Sequence, residues 1–339
     1  MPSENALPMQ HPTLEDPASA TGILCFDSGI GGLAYLDALR NPPKLPELSG
    51  HPKINWVYLA DNAYFPFGEK EQNELRERIC RLLTSTLARH PAKFVILLCN
   101  TATVLALDEL RRRLPQQQFI GTVPAIKPAA TTSRRRKIAM LASRSTSHAQ
   151  YIEGLLHRCA PDCRLDAINA ASLIQFIEED WPALARQADS TGTAAAIRAA
   201  IQPFVRPILE TGADRLVLGC THFLHLKDEL QSQLQAAEPD LQLCDSLTGI
   251  RRRLWDLLPR QAPQKFKSGP DSAASSDLLL LTRRTEGSHW PFWAQRFGLQ
   301  LQILEGWDEP LPLMPLSPLL PSKTPPTCQT AQTIHQTRP

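Results

Sequence analysis

At 339 residues the chain has room for two domains of ordinary size or one large α/β domain. Its 36 Lys and Arg against 34 Asp and Glu leave a formal net charge of +2, too even a balance for the field that a nucleic-acid partner requires. No apolar run approaches the roughly 20 residues that cross a bilayer, and the opening "MPSENALPMQHPTLEDPASATG" has no signal-peptide core, so the expectation is a soluble, cytoplasmic protein with no membrane partner.

The first 20 residues are proline-spaced and polar and predict an extended N-terminal segment. From there β-rich runs of four to seven residues alternate with helical patterns. The strand candidates are 23–26 (ILCF), 56–61 (WVYLAD), 94–99 (FVILLC), 119–123 (FIGTV), 137–142 (KIAMLA), 215–220 (RLVLGC), 241–246 (LQLCDS) and 278–282 (LLLLT). Between the second and third, Leu75, Ile79, Leu82, Leu83 and Leu87 fall at helical spacing, with a helix start expected at Glu69. After Cys99, Val104, Leu107, Leu110 and Leu114 do the same, and Pro115 ends the run. The basic runs at 111–113, 134–137 and 251–253 abut such patterns and read as solvated faces. From Glu309 onward the proline density excludes helix and sheet. Strands alternating with helices predict parallel sheets covered on both faces, which place ligands beyond the carboxyl ends of the strands.

Four phrases occupy that location. In "CFDSGIGGL" a strand ends before Asp27 and Ser28, and glycines at 29, 31 and 32 permit a tight turn. It lacks the lysine of a P-loop and does not match the dinucleotide fingerprint. In "LADNAYFPFGEK", Asp61 and Asn62 end a strand and Pro66-Phe67-Gly68 makes a rigid turn, a plain loop on its own terms. In "VILLCNTATV" and "LVLGCTHF" a strand runs into Cys99 or Cys220, with Asn100 or Thr101 placed to cap the helix after Cys99, and His222 standing two residues past Cys220. A helix N-terminus lowers a thiol's pKa. Either the two cysteines are core thiols, or they are opposed acid/base groups on two walls of one cleft, an arrangement that suits stereoinversion at carbon. The eight cysteines follow no zinc-like or disulfide spacing, so no metal site is expected; Cys159 and Cys163 have no second pair nearby.

Taken together, "FDSGIGGL", "ADNAYFPFGEK", "LLCNTATV", "GTVPAIKPA" and "LVLGCTHF" resemble, in order and spacing, the glutamate racemases of the aspartate/glutamate racemase superfamily. The similarity runs from about residue 21 to 307, and "DLLLLTRRTEGSHWPFWAQRFG" is similar to the closing strand and helix. The resemblance implies an isomerase of two similar α/β domains with mostly parallel sheets flanked by helices and the active site in the cleft between them. Residues 21–122 with 226–308 would form the first domain, carrying Asp27 and Cys99. Residues 123–225 would form the second, carrying Cys220 and His222. An extension at 1–20 and a tail at 309–339 have no family counterpart.

It further implies racemisation of glutamate without cofactor or metal, supplying D-glutamate for peptidoglycan, cell-wall biogenesis and cell shape, and it leaves a homodimer open. Cys99 and Cys220 would be the catalytic acid/bases, assisted by Asp27 and His222. Ser28, Asn100, Thr101 and Thr221, with Asp27 and His222, would hold the substrate, and Phe67 and Gly68 would lie in the contacting turn. Glu178, in "SLIQFIEED", stands where the family has an acidic residue near the catalytic histidine, although the Cys-Pro that usually precedes it is Ala170-Ala171 here. Phe67 replaces a common tyrosine. The competing readings are a racemase of another acidic amino acid such as aspartate, a non-catalytic binding protein of the same fold, and a cysteine hydrolase, which would leave Cys99 and Asp27 without a role.

Overall fold

The computed structural model describes residues 22–41, 54–143, 146–186, 190–258, 277–284 and 288–307. The expected proline-rich extension and tail, with Cys328, lie outside the described residues, as does most of the loop between the first two strands. Ten strands are described: β1 (Gly22–Asp27), β2 (Asn55–Ala60), β3 (Phe94–Leu97), β4 (Gln118–Gly121), β5 (Lys137–Ala142), β6 (Arg164–Asn169), β7 (Arg215–Leu218), β8 (Gln242–Cys244), β9 (Leu278–Leu281) and β10 (Gln300–Ile303). They form a six-stranded sheet in the order β10-β9-β2-β1-β3-β4 and a four-stranded sheet in the order β6-β5-β7-β8. Every described pairing is parallel.

The apolar runs become the central strands because both of their faces are covered. On β1, Ile23 and Cys25 point into one buried cluster with Tyr58, Phe94 and Ile96. Leu24 and Phe26 point into another with Leu75, Ile79, Leu82, Leu83 and Leu87, the predicted face of the helix Gln72–Arg89. That helix starts three residues later than expected: a short 3-10 turn occupies Phe67–Glu69, and Glu71 caps the helix by accepting from the Glu74 amide at 2.7 Å. The first cluster continues through Ala139, Leu141, Leu216 and Leu218 of the second sheet, so one apolar body ties the two sheets together. No helix among the described residues is long and apolar enough to cross a membrane.

Register decides where the chemistry goes. Asp27 pairs with Ala60 and Phe26 with Leu97, so β1, β2 and β3 finish at one edge. Chain order puts β2 on one side of β1 and β3 on the other, a switch point where the connections diverge and leave a crevice. The second sheet repeats this at β5, flanked by β6 and β7, with Leu141 paired to Leu218. Asp27 and Cys99 therefore stand at one switch point and Cys220 at the other.

Three expectations need correction. The strands predicted at 94–99 and 215–220 end at Leu97 and Leu218, which leaves Cys99 and Cys220 in the turns beyond them. The strand Gln242–Cys244, assigned to the first domain within 226–308, pairs with β7 in the second sheet: Arg215 aligns with Gln242 and Val217 with Cys244. Strands β6 and β10 were not anticipated. Both are edge strands with polar, largely accessible side chains, RLDAIN and QLQI, and an edge strand needs no continuous apolar run.

Candidate active site

The loop after β1 is shaped by Asp27, whose side chain turns back on its own backbone. One carboxylate oxygen accepts from the Ser28 amide at 2.7 Å and, less closely, from the Gly29 amide and the Ser28 hydroxyl, both at 3.3 Å. The other oxygen accepts from the Thr221 hydroxyl at 3.1 Å, so a wholly buried carboxyl of the first sheet is bound to the turn after the second sheet's β7. Burial pushes the Asp27 pKa up, against the His222 charge and these hydrogen bonds, which pull it down.

The glycines of this loop serve close approach. A Cβ at Gly29 would collide with the Glu178 carboxylate, and one at Gly31 with the Thr221 hydroxyl and the His222 ring. They let side chains of the other sheet reach the loop backbone. Tyr58, buried in β2, fixes the loop from behind by donating its hydroxyl to the Gly29 carbonyl at 2.8 Å.

Cys99 is buried and is itself the N-cap of the helix Asn100–Arg113, in place of the Asn100 or Thr101 cap expected. Its Sγ lies 3.9 Å from the Ser28 hydroxyl. Asn100 instead crosses the cleft and donates Nδ2 to the Gly219 carbonyl at 2.8 Å, while its Oδ1 is buried with no partner among the described residues. The helix terminus alone would lower the Cys99 pKa. Burial raises it instead, and the nearby Asp27 charge adds to the rise; the Ala102 amide and Ser28 hydroxyl offset only part. The closed cleft holds Cys99 as a neutral thiol.

The opposite wall is a relay. Cys220 Sγ lies 3.2 Å from His222 Nδ1, and His222 Nε2 lies 2.6 Å from Glu178 Oε1. Glu178 sits on a π-helical turn, Phe176–Asp180, a form concentrated at functional sites, and its Oε1 also accepts from the Ile30 amide at 2.9 Å. Burial works to lower the His222 pKa, but the Cys220 sulfur and the Glu178 carboxylate on either side of the ring overcome it and hold the pKa well above the ordinary imidazole range. An imidazolium beside a sulfur stabilises the thiolate.

The third contributor is the turn after β2. Asp61 accepts from Arg78 Nε and Nη2, both at 2.7 Å, in an ion pair that is essentially inaccessible to solvent on both sides. Thr282, after β9, donates to Asp61 at 2.8 Å, and the Arg78 guanidinium lies 4.7 Å from the Tyr64 ring centroid. From this base the chain passes through a cis Phe65-Pro66 bond to Phe67. Phe67 is buried against Phe26 with ring centroids 6.2 Å apart, in the same cluster as Cys99, and Gly68 follows it half-buried. Phe65 brings its ring to 6.0 Å from His222.

The structure thus gathers Asp27, Ser28, Cys99, Asn100, Thr101, Glu178, Cys220, Thr221 and His222 around one crevice. Thr101, buried in the first turn of its helix, is placed there by its position directly after Asn100. Sequence reasoning passed over Tyr58 and Phe65. A tyrosine inside a buried strand signals a hydroxyl that needs a partner, but nothing local says which one.

Residues 45–248 match the profile of the family described as Asp/Glu/Hydantoin racemase. The chain is 37% identical over 239 residues to a glutamate racemase of Shewanella loihica, covering 70% of this chain and 82% of that protein. It is 37% identical over 266 residues to one of Ectopseudomonas mendocina, covering 76% and 92%. In three dimensions it is similar to the Escherichia coli glutamate racemase solved with L-glutamate and the activator UDP-MurNAc-Ala, at 30% identity and a TM-score of 0.67, covering 84% of this chain and 98% of that one.

Proposed function

The chain belongs to the Asp/Glu/Hydantoin racemase family, with glutamate racemases as its curated relatives, and from that membership we propose a glutamate racemase that works through two opposed thiols without a cofactor. The observation that carries the mechanism is the unlike dressing of the two sulfurs on facing walls. Cys99 is held as a thiol beside Ser28 and Asp27, and Cys220 is backed by an imidazolium and a carboxylate.

In one direction the Cys220 thiolate takes the α-proton from one face of glutamate, and the Cys99 thiol delivers a proton to the other. In the return direction the roles exchange. The carbanion formed between these steps spreads its charge into the α-carboxylate, so fixed donors in a water-excluded cleft supply much of the stabilisation. The Ser28, Thr101 and Thr221 hydroxyls are such donors, those of Ser28 and Thr221 on turning from Asp27 to the substrate. The unpartnered Asn100 Oδ1 is an acceptor suited to the substrate ammonium. Asp27 exchanges charge with Cys99, and His222 with Cys220, so that each sulfur can change protonation state without exposure to bulk water. Glu178 keeps His222 charged. D-Glutamate made in this way would serve peptidoglycan synthesis in the cytoplasm.

The test is circular dichroism of the purified protein with L-glutamate and no added cofactor. Signal should decay to zero at equal enantiomers, and Cys99→Ala and Cys220→Ala should each abolish the decay. Turnover of aspartate with none of glutamate would contradict the substrate, and near-wild-type racemisation by Cys99→Ala would return that residue to the core.

A further inference from the structure

His225 has no part in the mechanism above, yet it lies one 3-10 turn from His222. The segment Thr221–Leu226 is a 3-10 helix, in which residues three apart eclipse one another, so the two imidazoles leave the same face. His222 meets Glu178. His225 meets Trp181, three residues past Glu178 at the start of the helix Trp181–Arg186, edge to face at 5.5 Å between centroids. Trp293 at 5.5 Å and Phe297 at 6.4 Å complete the surround.

The polar contacts of this ring are with the loop after β1: His225 Nε2 lies 3.0 Å from the Ile30 carbonyl, and the Gly31 backbone adds a second interaction. A carbonyl only accepts, so Nε2 carries the proton, and the ring is the neutral Nε2–H tautomer. Loss of hydration, with the His222 charge adding to it, pulls the His225 pKa down to about 3, so the donor stays in place at any working pH. The Ile30 residue is gripped at both ends. Its carbonyl accepts from His225 and, at 2.9 Å, from the Leu33 amide, and its own amide donates to Glu178 Oε1, the oxygen that also faces His222.

We propose that His225 is a positioning residue for the Cys220 half of the reaction: by holding the Ile30 carbonyl it aims the Ile30 amide at Glu178 and thereby sets the Glu178–His222–Cys220 relay. The inference rests on the two-thiol racemase reading. It predicts an asymmetric defect, because the Ile30 amide bonds directly to Glu178, whereas Cys99 is reached only through Ser28, two residues back along the loop, at 3.9 Å. A misplaced acid/base group loses rate steeply with small displacements.

The test uses each enantiomer of 3-chloroglutamate with the full-length enzyme. A thiolate removes the α-proton and chloride leaves Cβ as the Cα–Cβ double bond forms; the product then hydrolyses to 2-oxoglutarate and ammonia. The enantiomer whose chloride release is abolished by Cys220→Ala identifies the Cys220-dependent reaction. His225→Phe keeps the aromatic packing and removes the donor. It should slow that reaction by about tenfold or more and leave the other enantiomer's reaction within about twofold. His225→Gln, which returns an Nε2–H donor, should recover most of the loss.

Equal slowing of both enantiomers, no slowing of either, or no recovery with Gln would overturn the proposal. If His225→Phe does not fold, His225→Leu carries the same comparison. Wild-type racemisation of glutamate is read in parallel. Its absence would sink the proposed function, whereas wild-type activity with an unaffected His225→Phe would sink only the role of His225.

Discussion

Glu178 and His222 are separated by 44 positions along the chain yet share a 2.6 Å contact, and that contact carries a pH-dependent consequence. Two neighbours, Cys220 and Glu178, raise the His222 pKa, against burial. Replacing Glu178 by Gln removes one raising charge while leaving an oxygen for the Ile30 amide. The His222 pKa must then fall, and the imidazolium is lost at a lower pH. The basic limb of the kcat/KM profile should move toward neutrality, with kcat/KM at its plateau down about tenfold to a hundredfold. A pH series on wild type and Glu178→Gln checks this; an unmoved basic limb would show that His222 is not the group being tuned. At this scale the sequence was informative about identity and misleading about ionisation. Cys99 does stand at a helix N-terminus, as its phrase implied, but the local terminus is outweighed by burial and by Asp27 from another strand. Neither is visible in the residues flanking Cys99. His225 went unnoticed for a similar reason, since its meaning depends on a 3-10 period and on Ile30, 195 positions away.

Between the strands and the crevice, the turn after β2 is held by a buried ion pair and by hydrogen bonds that link Asn62 and Ala63 to Thr282 and Arg283. Arg78 projects from the helix Gln72–Arg89 and closes on Asp61 with both partners buried, while Thr282 donates to Asp61 and the Trp307 carbonyl accepts from Arg78. Removing one partner leaves the other charge buried and uncompensated, at a cost of about 3–5 kcal/mol. Arg78→Met should therefore lower stability by that amount in urea denaturation. The double variant Asp61→Leu with Arg78→Met should recover part of it, because the lone charge is gone. A single variant within about 1 kcal/mol of wild type would show that water reaches the pair. The existence of a strand was legible where both of its faces are covered, as in 23–26 and 278–282, and illegible at β6 and β10, where exposed edges carry polar residues. The apolar face of the helix Gln72–Arg89 was read correctly down to its five leucine and isoleucine positions. In the helix Asn100–Arg113, by contrast, Ala102 and Ala106 take fully buried positions and Val104 and Leu107 only partly buried ones, because small residues let the helix approach the sheet closely.

Over the whole molecule, two parallel sheets bring their switch points face to face, and one apolar cluster runs between them. Parallel order was predictable from the alternation of strands and helices, but which sheet a strand joins was not: Gln242–Cys244 reads the same in either, and only its pairing with β7 decides. The arrangement predicts that the two faces of the substrate α-carbon are served by different groups, each exchanging its proton with solvent on its own side. Wild-type enzyme incubated with L-glutamate in deuterium oxide, sampled at low conversion, tests this most directly. The two-thiol account predicts that D-glutamate formed early carries deuterium at Cα while the remaining L-glutamate carries none. Deuterium appearing equally in both pools, or D-glutamate that keeps the original proton, would mean that one group serves both faces and would contradict it.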